Sequence, residues 1–273
     1  MEIKIYTIKW PVISIAAVML FFTACKKDNT DTNSINEPVV AAYLIPGHVL
    51  TVNVYYQKSL SDTAKYGAPI TGLQLYVSDG SNNVQLTETA KGTYTYSNLD
   101  FLVTGKSYTM QFKYNGYTVS ANTTIPAAPK DFMESDSVIH LGNATSGPNA
   151  TIDTVGTLSW SNPDSLYHIV VFTNSDYTSS PISSGHFGNT GSSNFELNAE
   201  RTSAAYLTQR TFFYYGIYQV VLFTVNPEYI NFLKTNATTS TSQTLTSSYT
   251  NINHGFGIFT AMQGDTLKME VDY

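Results

Sequence analysis

The most regular alternation in the chain runs through Tyr108, Met110, Phe112 and Tyr114, breaks at Asn115-Gly116, and resumes at Tyr117, Val119 and Ala121. A period of two marks a strand with one buried face. Asn-Gly favours the type I′ turn, whose two left-handed positions match the twist of the flanking strands. A two-residue loop pairs Tyr114 with Tyr117, Phe112 with Val119 and Met110 with Ala121, so the apolar residues of both arms share a face. Leu50, Val52, Val54 and Tyr56 predict a second strand of the same kind. Leu73, Leu75 and Val77 predict a third, closed by the turn chemistry of Asp79-Gly80.

Pro126, Pro129 and the polar stretch from Lys130 to Asp136 interrupt this pattern and place a boundary near residue 129. Beyond it, Leu158 and Trp160 end a strand and Asn162-Pro163-Asp164 turns it. Tyr167 to Phe172 then reads as a continuous apolar core strand, with Trp160 as a core anchor. Thr173 to Asn194 is rich in Ser, Gly and Asn and reads as a long excursion. Phe212 to Val225 is aromatic and β-branched, and Gly216 inside it predicts a bulge or a close backbone approach. Asn226 as N-cap, Pro227 at the first helical position and Glu228 near the positive helix end predict one short helix, near 227–234. Thr235 to Ser248 is low in apolar content, and strand character returns at Gly255–Phe259 and again at Leu267, Met269 and Val271. The fold class is therefore all-β: two immunoglobulin-like or transthyretin-like β-sandwich domains, 39–129 and 130–273.

A different pattern precedes the body. Lys4 and Lys9 stand against the single acid Glu2, and Trp10 to Phe22 carries no charge. This is the layout of an export signal. The apolar run is about a dozen residues, short of the roughly twenty that cross a bilayer as a helix, so cleavage after residue 24 is expected rather than a permanent span. Phe22-Thr23-Ala24-Cys25 resembles a bacterial lipobox, with Phe22 where Leu is usual. Cys25 is the only cysteine in the chain, so no intramolecular disulfide can staple the body. Lipidation of Cys25 would anchor the protein on a membrane without spanning it, each acyl chain contributing roughly 0.8 kcal/mol per buried CH₂. Residues 25–38 then form a polar tether. Its Lys26-Lys27-Asp28 followed by Asp31 resembles the charged export signal of surface-exposed lipoproteins, so an outer-membrane anchor facing the cell exterior is expected.

The formal net charge is −6, and loss of Lys4, Lys9 and Glu2 with the leader makes the mature protein one unit more negative. A nucleic-acid partner is disfavoured. Charged residues make up 12% of the chain and aromatic ones 13%, which fits a β-rich exported surface better than a solvated helical one. His48, His140, His168, His186 and His254 are scattered, with no i, i+4 pair and no second cysteine, so neither a metal site nor a nucleophile is predicted. No Gly-x-Ser-x-Gly elbow, P-loop or dinucleotide fingerprint occurs. No catalytic residue and no cofactor is expected.

Ala68-Pro69-Ile70-Thr71-Gly72 before Val77-Ser78-Asp79-Gly80, then Gly92-Thr93-Tyr94, Gly105-Lys106-Ser107-Tyr108 and Asn115-Gly116-Tyr117, resemble a family of Bacteroidota lipoproteins known only as a domain of unknown function. The first block is also similar to a carboxypeptidase-regulatory, transthyretin-like sandwich, and Leu158-Ser159-Trp160 with Asn162-Pro163 and Tyr167 to a fibronectin type III sandwich. Val225-Asn226-Pro227-Glu228-Tyr229 and Asn251-Ile252-Asn253-His254-Gly255-Phe256-Gly257-Ile258-Phe259 resemble the family's closing motif. Such lipoproteins are commonly encoded near TonB-dependent outer-membrane transporters. The resemblance therefore implies an accessory or ligand-binding partner of a nutrient transporter, and it supplies no catalytic residues.

Five segments fit Asp-Ser/Thr-apolar, with acceptors Thr63, Ser137, Thr154, Ser165 and Thr266. The pattern resembles the O-glycosylation acceptor of Bacteroidota. His254 is expected as a turn residue before two closely packed glycines. Tyr94, Tyr96, Tyr206, Tyr214, Tyr215 and Tyr218 could stack on sugars if they form a flat exposed patch, although strand positions predict most of them in or beside the core. Two further readings stand beside the transporter partner. One is an adhesin or fimbrial subunit that polymerises by strand exchange, and the other is a module that binds a glycan or peptide.

Overall fold

The alternation read from the sequence carries into strands in a computed structural model, which describes residues 37–58, 64, 66–141, 153–176, 180–182, 191–236 and 249–273. The expected leader, Cys25, most of the tether, Thr63, His186 and most of the segment 235–248 lie outside these residues. The first block contributes β1 (Pro38–Leu44), β2 (Leu50–Tyr56), β3 (Tyr76–Ser78), β4 (Asn83–Gln85), β5 (Thr87–Ala90) and β6 (Thr93–Tyr96). The hairpin β7 (Ser107–Tyr114) and β8 (Tyr117–Thr124) completes it. The second block holds β9 (Lys130–Glu134), β10 (Val138–His140), β11 (Thr154–Ser161), β12 (Tyr167–Asn174), β13 (Phe195–Glu200), β14 (Ala204–Thr208) and β15 (Gly216–Val225). Helix α1 (Pro227–Asn236) and the long β16 (Phe256–Asp272) end the chain.

The hairpin has the expected register, with Tyr114 opposite Tyr117, Phe112 opposite Val119 and Met110 opposite Ala121. Asn115 and Gly116 take φ of 46° and 82°, as the turn type requires. Tyr108, Met110, Phe112, Val119 and Ala121 are buried, whereas Tyr117, at the tip, is 63% exposed. Trp160 is 4% exposed and belongs to the core.

Three sheets build the body, an all-β sandwich. A nine-stranded sheet runs β13-β12-β15-β16-β1-β2-β6-β5, with β10 added alongside β16. The sheets β4-β3-β7-β8 and β14-β11-β9 supply the opposing layers. One core joins Val40, Val52, Val54, Tyr94 and Phe259 to Val77, Tyr108, Met110 and Phe112. Another joins Phe172, Val220, Leu222 and Met269 to Leu158, Trp160 and Leu207. A smaller cluster of Ile169, Val225, Ile230 and Met262 includes α1.

The two C-terminal strand segments expected from the sequence are one strand. Phe256–Ala261 pairs in parallel with β1, Met262–Val271 pairs antiparallel with β15, and Glu270–Asp272 pairs with β10. Phe259 and Ala261 lie in the first core, and Met269 and Val271 in the second, so β16 serves both. The polar stretch Lys130 to Asp136, expected as an interruption, contains β9, an edge strand with only two apolar residues, adjacent rather than alternating: Phe132, half-buried against the second core, and Met133, exposed. Gly216 opens β15 with φ of 133°, and the atom that closes on it is a side-chain oxygen of Asp176, which accepts the Ile217 amide at 3.1 Å. Asp79 holds its turn by accepting the Ser81 and Asn82 amides at 3.0 and 2.7 Å and pairing with Lys106 at 3.0 Å. These bonds to the charged form hold its carboxyl below the ordinary value.

Parallel pairing of β1 with β16 depends on Gly257, which has φ of 99° and no side chain, so that the Val40 carbonyl can close on it. Gly257→Ala should destabilise the protein by about 3 kcal/mol or more, because backbone strain and a backbone clash add. Gly47→Ala, at φ of 76° in open space, should cost only the left-handed strain of about 1–2 kcal/mol. Urea unfolding of the two variants checks the difference.

Candidate functional site

The motif residues around 226 and 253 converge on strand β8. Asn226 donates its side-chain amide to the Thr123 hydroxyl at 3.0 Å and to the Thr124 carbonyl at 2.8 Å. Thr123 in turn donates to Glu228 at 2.8 Å, and Thr260 on β16 donates to the same carboxylate oxygen at 3.2 Å. Thr123 and Thr260 are buried, so this chain of bonds ties β8, α1 and β16 together where water competes little. Asn226 was expected as the helix N-cap. It occupies that position, with its carbonyl accepting from Tyr229 at 3.0 Å, but its side-chain amide nitrogen is committed to β8.

Asn253 exchanges backbone bonds with Ser120 at 2.8 and 3.3 Å, and His254 stacks on Tyr117 with ring centres 5.4 Å apart. His254 takes φ of 56° and is a turn residue, followed by Gly255 in close contact with Pro38. Asn251 donates to the Phe259 carbonyl at 2.7 Å and accepts its amide at 3.0 Å, so a side chain completes the pairing that the strand edge lacks. The closing motif therefore holds the body together.

A depression of about 270 Å³ opens beside this network, between Pro126, the turn 164–166, Tyr167, Arg201 and the start of α1 at Asn226-Pro227. The Arg201 guanidinium lies 4.3 Å from the centre of the Tyr167 ring. Asn162 fixes both turns: it donates to the Leu166, Arg201 and Thr202 carbonyls at 3.0–3.1 Å and accepts the Leu166 amide at 2.8 Å. Ser165 and Glu200, one in each turn, have φ of 52° and 50°. The depression is thus walled by two constrained turns and a helix end, with one cation stacked on an aromatic face.

Beneath it lies His168, 2% exposed, with Nδ1 at 3.1 Å from the Leu166 carbonyl and Nε2 at 3.3 Å from the Thr224 hydroxyl. A carbonyl only accepts, so Nδ1 carries the proton and Nε2 accepts from Thr224. Burial pushes the imidazole pKa down, which favours the neutral ring. Trp160 lies 5.5 Å from His168 between ring centres, and its indole N–H finds no hydrogen-bond partner among the described residues.

The other residues singled out from the sequence do not converge. Ser137, Thr154, Ser165 and Thr266 are all exposed, on separate elements. Tyr94 and Tyr218 are fully buried, donating to the Ile70 and Tyr214 carbonyls at 2.8 Å. Tyr96, Tyr214 and Tyr215 are half-buried, and Tyr206 alone of the six is well exposed, at 70%, so the six form no flat patch. His48 and His140 are exposed on separate elements. Among the described residues no three His, Cys, Asp or Glu side chains are grouped to hold a metal ion. The sequence reading missed Arg201. It is one of only two arginines in the chain, the one signal that could have marked it.

Residues 28–268 match the family described as a domain of unknown function, DUF4249, and the chain belongs to that family. No curated protein matches it. Among solved structures, the chain is similar to the FN1-FN3 domains of chicken CNTN1, at 12% identity over 87% of this chain and 67% of that one, with a TM-score of 0.27. It is also similar to titin A168–A169, at 9% identity over 86% and 98% of the two chains with a TM-score of 0.23. Trypsin-activated alpha-2-macroglobulin from Escherichia coli matches at 13% identity over 86% and 18%, with a TM-score of 0.21.

Two outcomes follow from the buried polar groups. Thr123→Val keeps the side chain's shape but removes one partner each from Asn226 and Glu228, which keep Thr124 and Thr260, and should cost about 1–3 kcal/mol in urea unfolding. His168 has a folded pKa below its unfolded value of about 6.5, so its contribution to stability is complete above that value and falls as pH drops toward the folded one. Carboxylates such as Asp79 lose theirs only at lower pH, below the ordinary carboxylate range. Unfolding midpoints should therefore drop between pH 7 and pH 5 in the native protein and stay flatter in His168→Gln.

Proposed function

We propose that this chain is a non-catalytic lipoprotein of the bacterial outer membrane, anchored through lipid on Cys25 and facing the cell exterior. Its β body serves as an accessory or ligand-binding partner of a TonB-dependent nutrient transporter. The observation that carries the anchor is the uncharged run Trp10 to Phe22 ending at the chain's sole cysteine. Among the described residues no helix is long and apolar enough to cross a membrane. The sheet begins at Pro38, thirteen residues after Cys25, and at ~3.5 Å each these span at most about 45 Å of chain. Such a reach suits a partner embedded in the same membrane. The transporter itself rests on the resemblance of the family motifs.

Strand exchange, the basis of the adhesin reading, is less well supported by the topology. Both chain-terminal strands of the body, β1 and β16, sit in the middle of the large sheet and pair with each other, and neither is a free edge. The exposed acceptors Ser137, Thr154 and Thr266 fit O-glycosylation of an exterior surface, whereas Ser165 lines the depression beside Arg201.

Capture of the tagged protein from native outer membranes, with Cys25 intact, should bring down a TonB-dependent transporter in comparable amount. Its intact mass should carry both acyl and hexose increments, and Cys25→Ala should shift it to the soluble fraction. Recovery alone or as a homopolymer would defeat the transporter reading, and a mass without hexose would defeat glycosylation.

A further inference from the structure

We propose that the depression between Tyr167, Arg201 and the start of α1 binds the C-terminal carboxylate of a peptide. This inference stands independently of the anchor and the transporter. The Arg201 guanidinium carbon lies over the Tyr167 ring at 4.3 Å, a contact that uses none of its N–H groups, and those groups donate to no described residue, so they are free for a bidentate carboxylate. Among the described residues, no carboxylate lies within ion-pair distance of it. A stacked but unpaired arginine at the wall of a cavity is placed to receive an anion from outside.

The rest of the lining narrows the class of anion. Asp164 shares the depression with Arg201, so a doubly charged phosphate would meet repulsion with only one cation to offset it. A peptide terminus presents one negative charge and, a few bonds away, an amide N–H that a carboxylate can accept. Arg201 and Asp164 provide for those two groups. Pro126, Leu166 and Val225 give an apolar surface for the terminal side chain. The lining also includes the positive end of α1, whose one acidic residue in the first turn, Glu228, already accepts from Thr123 and Thr260.

Size points the same way. A volume of about 270 Å³ falls below the roughly 300–1,000 Å³ of sites that enclose a whole drug-sized ligand, so it accommodates the end of a longer molecule. The site is also preorganised. The Asn162 amide holds the Leu166, Arg201 and Thr202 carbonyls together, which fixes the backbone that carries Arg201 before any ligand arrives.

The test is titration of the purified full chain with N-acetyl-Ala-Leu and with its C-terminal amide, followed by calorimetry. The free acid should bind at least about tenfold more tightly than the amide. Arg201→Gln should abolish that preference and Tyr167→Leu weaken it, while Lys113→Gln, on the β7–β8 hairpin, leaves it unchanged. Thermal unfolding of each variant establishes that it is folded, and Arg201→Lys, which keeps the charge, should restore part of the preference. Equal binding of acid and amide, or no binding of either up to about 10 mM, would overturn the proposal. A second arm places Ala-Leu at the C-terminus of an unrelated folded carrier. Binding of both short peptide and carrier assigns the site to a partner protein's terminus, and binding of the short peptide alone assigns it to free peptides.

Discussion

The parallel pairing of β1 with the first part of β16 is the constraint on which the rest of the body depends. Val39 to Leu44 lies beside Phe256 to Ala261, and the contact closes only because position 257 has no side chain to meet the Val40 carbonyl. From that seam β16 runs on without a break to pair with β15, carrying Phe259 and Ala261 in one core and Met269 and Val271 in the other. One strand thus serves both cores. The strands beside the seam are β-rich and apolar, so their burial supplies the driving force, while the glycine sets where the pairing can start.

A second tie runs through polar atoms. Thr123, Asn226, Glu228 and Thr260 come from three elements far apart in sequence and satisfy one another where little water reaches. Networks of this kind add little net energy per bond, but every partial alternative leaves a buried group unpaired, so they select one docking geometry. The depression beside Arg201 inherits that geometry. Its walls are the two turns pinned by Asn162 and the start of α1 pinned by Asn226, and none of them can shift without breaking several hydrogen bonds.

Much of the architecture was legible wherever one face of an element is buried. The β7–β8 register, the buried Trp160, the core strand after Tyr167 and the helix after Asn226 all follow from period, turn chemistry or capping residues. The edge strand β9 escaped notice because its residues are largely exposed and polar, and strand pairing there is made by backbone atoms that any sequence supplies. The continuity of β16 left no alternating apolar pattern between Phe259 and Leu267, where Gln263, Gly264 and Asp265 stand. In the fold, the side chains of Phe223 and Val221 fill the space above that glycine. The site was the least legible part. Arg201 sits on a turn, and its meaning comes from Tyr167, Asn162 and Asn226, which no local pattern connects to it.

Native-state hydrogen exchange tests most directly whether the body is one cooperative structure joined at this seam. The amides of β1 and of Phe256 to Met262 should be among the slowest in the molecule, and strands of both cores should exchange through the same global opening. Exchange of β11, β12 and β15 as a separate, less stable unit, while β1, β2 and β7 stay protected, would contradict the account.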